Sequence, residues 1–61
     1  MSKFILVHDA ANEASPIVIN SKTIQYVEAS EDYTGASTIY TDNADFDVTE
    51  TREQIFEMLQ N

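Results

Sequence analysis

The fold is decided by the stretch Ile24-Gln25-Tyr26-Val27-Glu28-Ala29-Ser30-Glu31-Asp32-Tyr33-Thr34. Its first half is rich in β-branched and aromatic residues, which favour strands. Small and polar residues follow, and Gly35 can adopt the positive φ that many turns need. The pattern predicts a strand from Thr23 to Ala29, a turn from Ser30 to Gly35 and the start of another strand.

Two strands are predicted before this stretch. Phe4 to His8 is a short apolar run, typical of a strand largely covered on both faces. Polar and small residues form a loop, and Pro16 to Ile19 then read as a second strand, because a proline is tolerated at a first or edge position. These two strands should pair as a hairpin through the loop from Asp9 to Ser15, and Asn20 to Lys22 should turn the chain into the third strand.

Two more strands and a helix are predicted after it. Ser37 to Thr41 is β-branched, and Phe46 to Val48 alternates apolar and acidic residues. The period then changes, because four apolar side chains fall on one helical face: Ile55, Phe56, Met58 and Leu59. Thr51 and Gln54 fit a capping box at the helix start. We expect Ile55, Phe56 and Leu59 to be buried on the sheet.

These elements predict one α+β domain over residues 1–61, a small curled antiparallel sheet of four or five strands closed by one C-terminal helix. A chain of 61 residues buries only about 60% of the surface that it exposes when unfolded. Small domains often need disulfides, a metal or a partner. Cysteine is absent and His8 is the only histidine, which excludes disulfides and a Cys/His zinc site. Self-association, as a dimer or a higher oligomer, is the remaining common route.

Seven residues of the central stretch follow the pattern I-x-Y-[IV]-E-A-x-x-x-Y-T: Ile24, Tyr26, Val27, Glu28, Ala29, Tyr33 and Thr34. This pattern resembles LytTR-type DNA-binding domains, and Ile39 to Leu59 resemble the strand and helix that follow it there. The resemblance implies a β-rich scaffold. LytTR domains place basic loop residues on DNA, whereas Thr34 to Ser37 contain no Lys or Arg, so DNA binding is not carried over.

A second resemblance rests on Ile19-Asn20, Ile24, Tyr26-Val27-Glu28 and Val48-Thr49-Glu50-Thr51. The order of these residues is similar to that of the small flagellum-associated FlbD family, which is also close to this chain in length. That resemblance implies a small accessory or regulatory protein and brings no catalytic residues with it.

Acidic residues dominate the charge. Eleven Asp and Glu oppose three Lys and Arg, giving a net charge of −8. Nucleic-acid binding depends on Lys and Arg that neutralise phosphates, and anionic membranes repel such a chain. We therefore expect neither nucleic-acid nor membrane binding. The apolar run near the N-terminus is short for a secretory signal and no stretch could span a membrane, so the predicted location is cytoplasmic.

Motifs for catalysis or ion binding are weak. A calcium loop starting at Asp42 would need oxygen ligands where Ala44 and Phe46 stand. His8 could be a general base or pH sensor, but a structural or exposed role is favoured because no nucleophile partner is recognisable. The three residues Tyr26, Tyr33 and Tyr40 could stack on bases, but cross-strand packing is the simpler interpretation. The sequence predicts no enzyme, no metal and no cofactor.

Two functional hypotheses follow. The first is a protein-interaction or regulatory module that pairs, with itself above all, through a sheet edge or an apolar face. The second is an inhibitor that mimics DNA, because six acids near the C-terminus could imitate phosphates: Asp42, Asp45, Asp47, Glu50, Glu53 and Glu57. These six residues are the predicted partner-binding site.

Overall fold

Residues 3–60, which the computed structural model describes, form one open antiparallel sheet with a helix on one of its faces. The elements are β1 (Phe4–Asp9), β2 (Ser15–Asn20), a 3₁₀ turn (Ser21–Thr23), β3 (Ile24–Ala29), β4 (Ser37–Thr41), β5 (Asp45–Val48) and α1 (Arg52–Gln60). The predicted α+β class, with five strands and a C-terminal helix, is confirmed. The sheet does not close on itself.

The strand order is β2-β1-β5-β4-β3. The predicted hairpin of β1 and β2 is confirmed, and β3, β4 and β5 form a meander. The hairpin meets the meander where Asp9 lies opposite Val48. Two backbone bonds of 2.8 Å flank this pair, from the Ala10 N–H to the Asp47 carbonyl and from the Thr49 N–H to the His8 carbonyl. We call this short junction the seam.

Pro16 stands where its missing N–H does no harm. The Ser21 N–H donates to the Lys3 carbonyl at 2.8 Å, and backbone groups of antiparallel strands point alternately toward and away from the partner. This alternation turns the backbone of Pro16 away from its partner His8, toward the open edge of β2. The expectation of a proline at an edge position is confirmed.

The core lies between the sheet and α1. Its buried members alternate along the strands and include one helical residue: Ile5, Val7, Ile19, Ile39, Val48 and Ile55. The expectation that β1 is covered on both faces is wrong, because Phe4 and Leu6 are 60% and 53% exposed. A single nine-residue helix covers one face of the sheet, so the alternate residues of β1 face solvent.

The predicted capping box opens α1. The Thr51 N–H donates to Gln54 Oε1 at 2.8 Å, and the Gln54 N–H donates to Thr51 Oγ1 at 3.1 Å. Two backbone donors that the first helical turn leaves without partners are thereby satisfied. The chain therefore becomes helical at Arg52.

The predicted buried face of α1 is wrong at Phe56, which is 62% exposed. Ile55 is buried, and Met58 and Leu59 are packed against the core. Each residue turns a helix by about 100°, so Met58 and Leu59 flank Ile55 closely whereas Phe56 projects sideways. The helix therefore packs on the sheet through the narrower stripe of Ile55, Met58 and Leu59.

Replacing the capping threonine should destabilise the protein. We expect Thr51→Ala to lower the free energy of unfolding by about 1 kcal/mol, because the Gln54 N–H loses its acceptor. Urea denaturation followed by circular dichroism measures the change. Thr34→Ala is the matched control, since Thr34 is exposed in a loop and should shift stability little; equal effects from the two variants would argue against the cap.

Candidate functional site

The sheet face opposite the helix, which we call the uncovered face, carries acidic side chains at one end. The ladder pairs Thr38 with both Asp47 and Glu28, and Tyr40 with Asp45. Glu31 and Asp32, from the turn after β3, complete the rim of a depression of about 190 Å³. We call this surface the acidic half: Glu28, Glu31, Asp32, Thr38, Tyr40, Asp45 and Asp47.

Cross-strand contacts organise the acidic half. The Thr38 hydroxyl donates to Asp47 Oδ1 at 2.6 Å, which fixes the direction of that carboxylate. Tyr26 lies opposite Tyr40, and their rings stack with centroids 4.5 Å apart and planes 20° apart. The predicted cross-strand packing is confirmed for these two tyrosines, whereas Tyr33 lies in the turn after β3.

The electrostatic character of this surface is visible in Tyr40. Partial burial raises the pKa of Tyr40, and the negative charge of Glu28 raises it further. Asp45 and Glu31 act in the same direction. Burial disfavours a charge of either sign, but the nearby carboxylates favour a positive one, so the acidic half is suited to a basic partner.

The structure separates the six acids predicted as a partner-binding site. Asp45 and Asp47 lie on the acidic half. Asp42 follows β4 and accepts a bond from Gln25 Nε2 at 3.1 Å, Glu50 lies at the seam, and Glu53 and Glu57 belong to α1. Glu28, Glu31 and Asp32, which line the same depression as Asp45 and Asp47, are not among the six predicted residues. Alternation along β3 and β5 places Glu28 and Asp47 on one face, but only the register shows that both flank Thr38.

Metal binding has no support in the clustering of these acids. Within residues 3–60, no group of three or more His, Asp and Glu side chains converges as metal ligands. Of the acids in the calcium-loop pattern that starts at Asp42, Asp45 and Asp47 belong to β5 and Glu53 belongs to α1.

The other end of the uncovered face is apolar. Leu6 lies opposite Val18 across the hairpin, and Phe4 is two residues before Leu6 on the same face. Phe4, Leu6 and Val18 are 60%, 53% and 64% exposed. We call these three residues the apolar half.

His8 and Glu50 connect β1 to the segment that enters the helix. The His8 backbone N–H donates to Glu50 Oε1 at 2.9 Å, and His8 Nδ1 lies 2.7 Å from Glu50 Oε2. The Glu50 side chain is 15% exposed and that of His8 is 41% exposed. Burial opposes ionisation of Glu50, but the two hydrogen bonds from His8 outweigh it and hold the pKa of this carboxyl below its ordinary value. The geometry gives His8 a structural role at the seam.

In the part of the chain that the structure describes, no helix has the length and apolar character needed to cross a membrane. Comparison with known proteins finds no matching family model, curated protein or solved structure. The resemblance to the FlbD and LytTR families therefore stays a prediction.

Proposed function

We propose that this chain is a non-catalytic protein-interaction module of the cytoplasm that associates with a second copy of itself through the apolar half. The observation that supports this proposal is the exposure of three large apolar side chains, Phe4, Leu6 and Val18, on a sheet face that the helix does not cover. Contiguous exposed apolar patches mark interaction sites. A domain of this size also gains stability from association.

The distribution of charge favours a second copy as the occupant. Strand β2 contains no charged residue, and the acidic half lies at the far side of the same sheet, on β3, β4 and β5. Each copy carries a net charge of −8, so most contacts between copies are repulsive. Two-fold pairing of the apolar halves brings the least charged surfaces together and keeps the acidic halves apart.

Sedimentation equilibrium tests this association. Between about 1 and 100 µM, the range in which modest interfaces dissociate, the average mass should rise above the 6.9 kDa of one chain. The rise should be larger at higher salt, because salt screens repulsion between the acidic copies. A mass of one chain throughout this range would contradict the proposal.

Two matched variants locate the interface. Leu6→Glu should abolish the rise in mass, because it places a charge in the centre of the apolar half. Phe56→Glu is the control: it adds the same charge at a comparably exposed apolar residue, 62% against 53% for Leu6, but on the helix, and should leave association nearly unchanged. Both variants should give the circular dichroism spectrum of the folded wild type. Equal loss of association in the two variants would argue for charge repulsion without a defined interface.

The acidic half supports a second candidate function, inhibition of a nucleic-acid-binding protein by mimicry of DNA. Five carboxylates, from Glu28, Glu31, Asp32, Asp45 and Asp47, line one depression, and a basic DNA-binding surface would meet them as it meets phosphates. The observation behind this candidate is their convergence from β3, β5 and the turn between β3 and β4.

A competition experiment tests the mimic. The protein should displace a fluorescent duplex from a basic DNA-binding protein that lacks sequence specificity, and Asp45→Asn combined with Glu28→Gln should weaken that displacement. Glu53→Gln combined with Glu57→Gln changes the net charge equally on the helix and is the control. Displacement that falls equally in both double variants would indicate net charge alone and contradict a defined mimic surface.

A further inference from the structure

A groove runs between α1 and the edge strand β3. It has a volume of about 390 Å³ and is lined by residues of both elements, among them Ile24, Val27, Ile55, Phe56 and Leu59, with Arg52 also on its wall. Phe56, which projects sideways from the helix, forms one rim of this edge groove. Phe56 therefore lies outside the core but contributes to the wall of the groove.

Strand β3 offers backbone groups along the groove. The Ser30 N–H donates to the Ala36 carbonyl at 3.0 Å, and alternation from that bond turns the N–H and C=O groups of Val27 and Ala29 away from β4. Because β3 ends the strand order, these groups face an open edge. The opposite edge, β2, is interrupted by Pro16, which has no N–H to offer.

A smaller depression of about 160 Å³ adjoins the start of α1, and Arg52 lines both it and the edge groove. Ser37 also lines it; its side-chain oxygen is fully buried and has no hydrogen-bond partner in the described chain. Arg52 forms no ion pair with any residue from 3 to 60. A helix N-terminus carries partial positive charge. These groups together favour one carboxylate.

We propose that the edge groove binds an extended peptide segment that ends in a free C-terminal carboxylate. The segment adds to β3 as a sixth strand, with backbone bonds to Val27 and Ala29 and alternate apolar side chains in the groove. Its carboxylate lies in the smaller depression, beside Arg52 and over the buried Ser37 hydroxyl. Because this smaller depression also contacts Ala29, the segment runs parallel to β3.

This inference is independent of the self-association proposed above, because the edge groove lies on the helix side of the sheet and the apolar half lies on the other. The negative net charge of the chain and the carboxylate of Glu53, which also lines the smaller depression, limit how many acidic residues the ligand can carry. A segment with further acidic residues is repelled, so the favoured sequence is apolar or basic except for its terminus.

Selection from a displayed library of random heptapeptides with free C-termini tests the groove. We expect enrichment of sequences with β-branched or aromatic residues at alternate positions. The enriched peptide is then titrated, as the free acid and as the C-terminal amide, into the ¹⁵N-labelled full chain. The free acid should bind more tightly, and the amide protons of Val27 and Ala29 should shift and exchange more slowly.

Variants separate the carboxylate site from the groove. Arg52→Gln should weaken binding of the free acid by about tenfold, the order expected for one charge-assisted hydrogen bond, and leave the amide unaffected. Lys22→Gln is the control, because Lys22 is an exposed cation outside both depressions. Ser37→Ala should also weaken the free acid while raising the melting temperature, since it removes a buried hydroxyl without a partner. Glu53→Gln should tighten binding of the free acid, because it removes a negative charge from the smaller depression.

Several results would overturn the proposal. The selection could yield no enriched sequence, or the enriched peptide could bind equally well as the free acid and as the amide. The chemical-shift changes could also be centred on Phe4, Leu6 and Val18. Binding of a second copy at β3, seen as concentration-dependent shifts of Val27 and Ala29 without any peptide, would also overturn it. Spectra of each variant establish that it remains folded.

Discussion

Replacing Ile55 by alanine is expected to lower the free energy of unfolding by about 2–5 kcal/mol, the range for deleting a large buried aliphatic side chain. Ile55 is 1% exposed and belongs to the same cluster as Val7, Ile39 and Val48. It is also the only fully buried residue that the described part of the helix contributes. A domain of this size has little stability to spare, so a large fraction of the variant should be unfolded at 25 °C.

Phe56→Ala is the matched control for this prediction. Phe56 is adjacent in sequence and larger, yet it is 62% exposed, and surface substitutions usually change stability by no more than about 0.5 kcal/mol. Urea denaturation followed by circular dichroism compares the two variants. A loss of stability in Phe56→Ala as large as that in Ile55→Ala would mean that the helix is rotated about its axis relative to the sheet.

The second large effect is expected at the seam. Glu50→Ala removes the acceptor of the His8 N–H and the partner of the His8 ring in one step. The His8 N–H then has no protein acceptor in its present position. A hydrogen bond to a charged group typically contributes about 1.5–3 kcal/mol to the free energy of unfolding. We expect a loss of about 2 kcal/mol at neutral pH, measured by urea denaturation.

The same carboxylate makes stability depend on pH. The pKa of Glu50 is lower in the folded protein than its ordinary value, so the unfolded state binds its proton first as pH falls. The stabilisation is complete above the pKa of an unfolded glutamate, about 4.3, and is lost as pH falls through the lower pKa of the folded state. Wild type should therefore lose stability over this acidic range.

Two variants isolate the contribution of Glu50. Glu50→Gln keeps an oxygen acceptor for the His8 N–H but cannot titrate, so its stability should fall less between neutral pH and pH 3. Glu57→Gln removes one charge from the exposed face of the helix and should keep the pH dependence of wild type. If Glu50→Gln shows the full acid sensitivity of wild type, the His8 contact does not hold this carboxylate in its charged form.

Local patterns predicted most of the elements. The strand Ser37–Thr41 has the predicted bounds, and the helix begins where Thr51 and Gln54 predicted it. These features depend on residues close together in the chain. Periodicity did not decide between Phe56 and Met58 as the buried neighbour of Ile55, because both fit a broad apolar face. The packing of α1 on the sheet leaves Phe56 exposed and places Met58 against the core.

Features that join distant segments were not predictable. The placement of β5 between β1 and β4 depends on pairing across the whole chain, and without it the contact of His8 with Glu50 cannot be derived. For the same reason, six acids close together in sequence do not form one surface. The alternation of side chains along each strand predicts which face of the sheet a residue lies on. Which residues of other strands lie beside it depends on the strand order.

The seam also has a consequence for the order of events in folding. The hairpin and the meander each pair strands that are neighbours in the chain, whereas the seam joins residues as far apart as His8 and Glu50, which are 42 positions apart. The entropy lost on closing a loop grows with its length, so the seam should form after the local turns, and its closure should contribute to the rate-limiting barrier. A lesion at Glu50 would then slow folding as well as shorten the lifetime of the native state.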